Sequence, residues 1–372
     1  MVSFNLQHPF PRLMLVYVFW LASWVLAGSL FEVYFFNLGL GLPDIFLASF
    51  FWFIGGAATI FFRGFEIKKF MLLGIALAFL SVAVLYLFPH PLAAYPFRFL
   101  MGLTHFFFWV PFNTIYYESR KGNHALLGAV YYSIMPLLSL ALPALAGWLA
   151  SGFGYSALFL AAMFSYALTF LLGARFLEKK EYTFHWIESL RSLAGLRSLI
   201  FLEGFAGTVL VSVTLEIVLL LYIDQPLEFG GFISLATAFS ILASLLTARL
   251  SDRYKSRRVF LLTSVAGFAL AAIFASQALD IAAFFLGFGM INFFRTIFFP
   301  LPFALTVDNS KSLVDSMVGR ELMLLAGRLA GAVVGYLILI YTNIQTVLLF
   351  QGLALLLYIP LFEMKKEKLA RR

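Results

Sequence analysis

The 372-residue sequence predicts an all-α polytopic membrane protein, with twelve transmembrane helices in two pseudo-symmetric six-helix bundles. Three observations predict it. Hydrophobic residues make up 62% of the chain and charged residues 12%, against roughly 45–50% and about 25% in soluble domains. Twelve apolar stretches approach the ~20 residues that cross the hydrocarbon layer. Lysine and arginine alternate from one side of those stretches to the other. Such a chain has no polar coat for a water-soluble globule, so a soluble enzyme, a nucleic-acid reader and a disordered chain are excluded. Cysteine is absent, which removes disulfides, cysteine–metal sites and cysteine nucleophiles.

The twelve stretches cover residues 14–36, 42–62, 69–89, 94–116, 125–150, 155–177, 199–223, 231–250, 258–278, 281–305, 319–341 and 345–363. Their connections are short except for residues 178–198. Only Arg12 precedes the first stretch, which is too long for a signal's apolar core, so no cleaved signal is expected. If the N-terminus is inside, 23 of the 26 basic residues fall on inner segments or inner span ends. The other three, Arg98, Arg295 and Arg328, lie within spans. The outer loops carry Asp44, Asp224, Glu228 and Asp280 and no cation. The net charge of +8 is therefore the positive-inside rule rather than a nucleic-acid footprint. Both termini are expected in the cytoplasm, with the chain in the cytoplasmic membrane.

The chain reads as a duplication. Pro111 and Pro302, Phe112 and Phe303, Ser119 and Ser310, Arg120 and Lys311, and Gly128 and Gly319 align at an offset of 191 residues. The expected division is 1–177, 178–198 and 199–372: one bundle, a linker and a second bundle. Within the linker, Phe184, Trp186, Ile187, Leu190, Leu193 and Leu196 recur at helical spacing, which predicts a helix on the inner membrane surface. A solvated charged linker is the alternative.

Residues 248–258, Ala-Arg-Leu-Ser-Asp-Arg-Tyr-Lys-Ser-Arg-Arg, resemble the loop signature Gly-x-Leu-x-Asp-Arg-x-Gly-Arg-Arg/Lys of the major facilitator superfamily. Ala248, Lys255 and Ser256 depart from it. Arg98-Phe-Leu-Met-Gly102 is similar to that family's fourth-span Arg-x-x-x-Gly pattern. Leu142-Pro143-Ala-Leu-Ala-Gly147 is similar to the antiporters' fifth-span motif, with two glycines replaced. The resemblance covers the whole chain. It implies alternating access, with spans 1, 4, 7 and 10 lining a central cavity.

The residues have a physical reading of their own. Asp252 suits a helix N-terminus of the opposite half. Arg253 and Arg257 would then pair with Asp308 and latch the inner ends; a solvated topogenic cluster is the alternative. Small residues recur every fourth position at Ser139, Pro143, Gly147 and Ser151, at Ala236, Ser240, Ser244 and Ala248, and at Gly327, Gly331 and Gly335. Such stripes mark close helix contacts in lipid. The resemblance implies that the fifth span meets the eighth and the eleventh meets the second. The phenylalanines are expected mostly on lipid-facing surfaces.

Ionisable groups within spans are costly and mark a pathway or a pair. Glu32, Arg98, His105, Glu216, Arg295 and Arg328 are the candidates for substrate and proton binding. Glu32 and Arg98 lie at the same depth on antiparallel spans, so they are expected to pair, unless each snorkels separately to the outer surface. Arg295 and Arg328 suit an anionic substrate group, or an acid such as Glu216 or Glu321. His105 reads equally as a satisfied structural histidine, and Glu203 as an acid that snorkels to the inner surface. No phosphate-binding Gly-x-x-x-x-Gly-Lys-Ser/Thr loop occurs. The expected function is therefore secondary transport of a small molecule, with protons as the coupling ion; the resemblance of the fifth-span and Arg98 motifs implies efflux as direction. Uptake of a small organic anion by symport is the alternative. A membrane-embedded enzyme would need a reactive constellation, and a transporter-like receptor a larger soluble segment; neither stands out. No cofactor or metal is expected, no nucleic-acid partner, and the working unit is expected to be a monomer in the bilayer.

Overall fold

The computed structural model describes the backbone of residues 9–119, 124–253 and 257–370, and the side chains of 10–119, 128, 130–244 and 258–365. Eleven described helices are long and apolar enough to cross a membrane: Phe10–Asn37, Leu42–Phe61, Ile67–Leu87, Val130–Phe153, Tyr155–Phe176, Arg197–Leu219, Pro226–Ser244, Arg258–Ser276, Ile281–Asp308, Leu313–Tyr341 and Ile344–Lys365. The fourth span is the helix over residues 94–118, where Arg98, His105 and two prolines dilute the apolar run. Helices are the economical solution here, because each satisfies its own backbone where no water can.

Several spans are broken along their length. The first turns at Ser29–Leu30, the fifth at Leu140–Ala141 just before Pro143, and the tenth at Phe299 just before Pro300. The fourth and seventh widen instead into π-helical turns, at His105–Trp109, Glu203–Thr208 and Leu210–Thr214. Proline removes a backbone donor, and a π turn displaces one. Both leave room and polar groups beside a cavity.

Two spans start earlier than the hydropathy suggests. The eighth begins at Pro226, a residue suited to the first helical turn. The eleventh begins at Leu313, where the Ser312 hydroxyl accepts from the Asp315 amide. Arg320 therefore lies two turns inside its helix rather than in an inner loop.

Glycines set the closest crossings. A Cβ on Gly102 would sit 1.9 Å from the Trp52 carbonyl oxygen, so the second and fourth spans touch backbone to backbone. The fifth and eighth spans meet as expected, with Gly147 and Gly230 facing the opposite backbones. There the Ala144 amide donates to Ser234 at 3.0 Å and the Leu227 amide to Ser151 at 3.1 Å.

Two expected contacts are different. Ser240 does not face the fifth span: its hydroxyl donates to the Asn292 carbonyl of the tenth at 3.1 Å, and Ser244 bonds back to Ser240. Gly327 and Gly331 face the seventh span at Phe201 and Phe205, and only Gly335 reaches the second span, at Phe46. The longer eleventh helix carries its glycine ridge across Gly204, where two bare backbones fit closest. The phenylalanines also divide otherwise than expected. Phe164 faces outward, but Phe97, Phe106, Phe108 and Phe112 are fully buried, because edge-to-face ring packing fills the core that lipid would otherwise share.

The linker is not one amphipathic helix. Strand β2 (Glu181–Thr183) pairs antiparallel with β1 (Gly64–Glu66) in the loop after the second span. The Ile67 amide donates to Lys180 and the Phe184 amide to Arg63, both at 2.9 Å. A short helix, Trp186–Ser192, then packs on the eleventh span. Ser189 is fully buried there, while Trp186 and Ile187 point outward.

Candidate functional site

A cavity of about 280 Å³ lies between the two halves. Its lining comes from both of them: Trp24 and Ser29 of the first span, Trp52 of the second, Arg98 of the fourth, Ser212 and Glu216 of the seventh, and Arg295 of the tenth. The breaks at Ser29 and Phe299 border it. It continues into a second chamber of about 230 Å³ that shares Trp24, Trp52, Met135, Thr208 and Ser212 and adds His105, Trp109, Glu321 and Arg328.

A chain of four charges crosses the first chamber. Arg98 donates to Glu32 Oε1, and both side chains are buried. The Arg98 guanidinium also lies 5.4 Å from the Trp52 ring centroid. Glu32 Oε2 is buried without a protein partner among the described residues. The Glu216 carboxyl stands within hydrogen-bonding reach of Glu32 and close to both Arg98 and Arg295. Two carboxylates placed so close repel each other, and a proton held between them would remove the repulsion. With that proton the cluster has one net positive charge; without it, none. The Arg295 side chain forms no ion pair or hydrogen bond among the described residues.

The second chamber is neutral by pairing. Arg328 donates to Glu321 at 2.7 Å, two turns away on the eleventh span. Trp52 donates its indole N–H to His105 Nδ1 at 3.3 Å. Indole is a donor only, so His105 accepts at Nδ1 and a neutral ring carries its proton at Nε2. His105 thus has a structural partner and a place on the chamber wall.

Glu203 does not snorkel. It is buried and pairs with Arg320 at 2.5 Å. Arg320 in turn lies 5.1 Å from the Phe303 ring centroid. Phe303 packs among Tyr117, Tyr131 and Tyr132 of the other half, with Tyr117 5.0 Å away. The halves thus touch on the linker face. On the opposite face Asn37 donates to the Asp224 carbonyl at 3.3 Å. Of the expected inner gate, the side chains of Asp252, Arg253 and Arg257 lie outside the described residues, and Asp308 is exposed at the end of the tenth span.

The structure brings together Arg98, Glu216 and Arg295 in one chamber, with Glu32 paired to Arg98 behind its wall, and His105 and Arg328 in the next. Sequence reasoning missed the Glu203–Arg320 pair and the tryptophan walls. The first had a signal: Ser312 followed three residues later by Asp315 marks a helix start that places Arg320 inside the span.

The sequence matches no family model and no curated protein. Solved structures do resemble the chain. A POT family transporter in complex with 5-aminolevulinic acid is 12% identical with a TM-score of 0.72, covering 97% of this chain and 96% of its own. The human organic anion transporter MFSD10 is 14% identical with a TM-score of 0.70, covering 95% and 99%. The nucleoside transporter NupG is 15% identical with a TM-score of 0.63, covering 95% and 99%. The chain has the all-α fold of these major facilitator-type transporters.

Proposed function

We propose that the chain is a proton-coupled secondary transporter of the cytoplasmic membrane, moving a small solute by alternating access between bundles 1–177 and 199–372. The termini and linker are on the cytoplasmic side and the monomer is the working unit. The observation that carries this reading is the carboxyl pair Glu32–Glu216, which joins the two halves above a cavity built from both. A shared proton ties the ends opposite the linker together. Its loss sets two carboxylates against each other and frees Glu216 to turn to Arg295.

The charge count also bears on direction. Efflux rests on the fifth-span motif and the Arg98 pattern, but Pro143 and Gly147 serve to pack the eighth span and Arg98 is paired with Glu32. Arg295 favours the other reading, symport of a small organic anion. Proton and anion then support each other: the proton keeps Glu216 off Arg295, and the anion takes its place. A cationic solute would instead displace the proton.

Spin labels on His90→Cys and Leu279→Cys, in loops on the face opposite the linker, test this. The separation is expected to widen as pH rises, and Glu216→Gln to stay closed at all pH. A wild-type separation that ignores pH, or a Glu216→Gln variant that still responds, overturns the coupling.

A further inference from the structure

The second chamber has a chemistry that anion binding does not use. Three tryptophans face it, and the Trp24 and Trp52 ring centroids lie 5.6 and 5.2 Å from that of His105. Its one cation, Arg328, is already paired with Glu321, so the chamber brings no net charge. The first chamber has the spare cation, Arg295. The two chambers share Trp24 and Trp52 as a common wall. A single solute filling both would place a charged group at Arg295 and a neutral body among the indoles. Indole faces contribute most to planar, π-bearing bodies, through stacked and edge-to-face packing.

We propose that the transported solute is an aromatic carboxylate, its carboxylate seated at Arg295 and its ring in the chamber walled by Trp24, Trp52 and Trp109. The inference rests on the anionic reading above and adds the ring to it. Trp52 is the residue that links the two seats, because the Arg98 guanidinium of the first chamber lies over its ring and its N–H is held by His105 of the second. That hydrogen bond fixes the indole plane before the solute arrives, and a wall already fixed loses little freedom on binding.

Binding of 2-naphthoate, 2-naphthamide and hexanoate to the purified full chain in detergent tests the proposal. Naphthoate is expected to bind about tenfold tighter than hexanoate, the order of one good ring contact. Trp52→Leu and, as a second variant, Trp24→Leu are expected to shrink that ratio to about twofold. Arg295→Gln is expected to weaken both carboxylates and leave their ratio standing. Equal binding of naphthoate and hexanoate to the wild type, or a ratio unchanged in both tryptophan variants, overturns the ring seat alone. Naphthamide binding as tightly as naphthoate, with Arg295→Gln without effect, overturns the anionic reading instead. Failure of both carboxylates to bind overturns the two together.

Discussion

Glu203 and Arg320 hold each other at 2.5 Å across the seventh and eleventh spans, and both are buried. Neither charge has water to fall back on. Removing one partner leaves the other uncompensated, which costs about 3–5 kcal/mol in buried pairs. Glu203→Ala is therefore expected to lower the unfolding midpoint of the purified protein sharply. The double variant Glu203→Ala/Arg320→Ala is expected to lose less than the sum of the single changes, since it leaves no orphan charge. Additive losses in thermal unfolding would show the pair to be uncoupled.

Glu32 and Arg98 form the corresponding pair on the opposite face. Transport by Glu32→Gln and by Arg98→Gln is expected to fall, with the pH profile altered in both. The double variant is expected to be no worse than either single one. Small and independent effects would remove the pair from the coupling machinery.

Gly102 and Gly152 make a matched test of packing. A methyl group at Gly102 would overlap the Trp52 carbonyl, whereas at Gly152 it meets nothing within 4 Å. Gly102→Ala is expected to destabilise by at least the ~1–3 kcal/mol of an overpacked core. Gly152→Ala is expected to be neutral by the same thermal measurement.

Lys180 provides a test of topology and of pH. Since the chain has no cysteine, Lys180→Cys is expected to be labelled by impermeant thiol reagents only from the cytoplasmic side. In the wild type, Glu118 accepts from Lys180 at 2.6 Å and also from Tyr182. The bond to Glu118 raises the lysine above its ordinary value, and burial first, then Glu118, pushes Tyr182 up to about 12. A raised lysine stabilises below its unfolded value and stops doing so as pH rises through its folded one. On the alkaline side the contact is therefore expected to hold through neutral pH and to weaken in strong alkali. Protease nicking of the linker as a function of pH reads it out; nicking that increases already near neutrality would contradict the assignment.

The helices were legible because each repeats one requirement, about 20 apolar residues, and because Arg and Lys mark alternate ends. Glu32 and Arg98 were legible as a pair because helical rise converts sequence position to depth. Glu203 with Arg320 was not, because depth was counted from Gly319 and the helix starts at Leu313. The partners of Ser240 and Gly327 were not legible either. A small-residue stripe states that a helix is approached closely, but not by which neighbour. Trp24 and Trp52 looked like any bilayer aromatic until the cavity gave them a common wall.

The short hairpin between β1 and β2 makes the linker a leash. Thr183 is paired to one half, and Ser189, on the helix that begins at Trp186, rests against Gly319 of the other. Phe184 is held to the first half as well, through its amide on Arg63, so the free stretch between strand and helix is His185 alone, and an extended chain spans at most about 3.3–3.6 Å per residue. The Cα atoms of Phe184 and Trp186 can therefore stand no more than about 7 Å apart, which limits how far the two halves can separate on this face. Any wider opening must unzip β2 from β1 or lift Ser189 from its glycine.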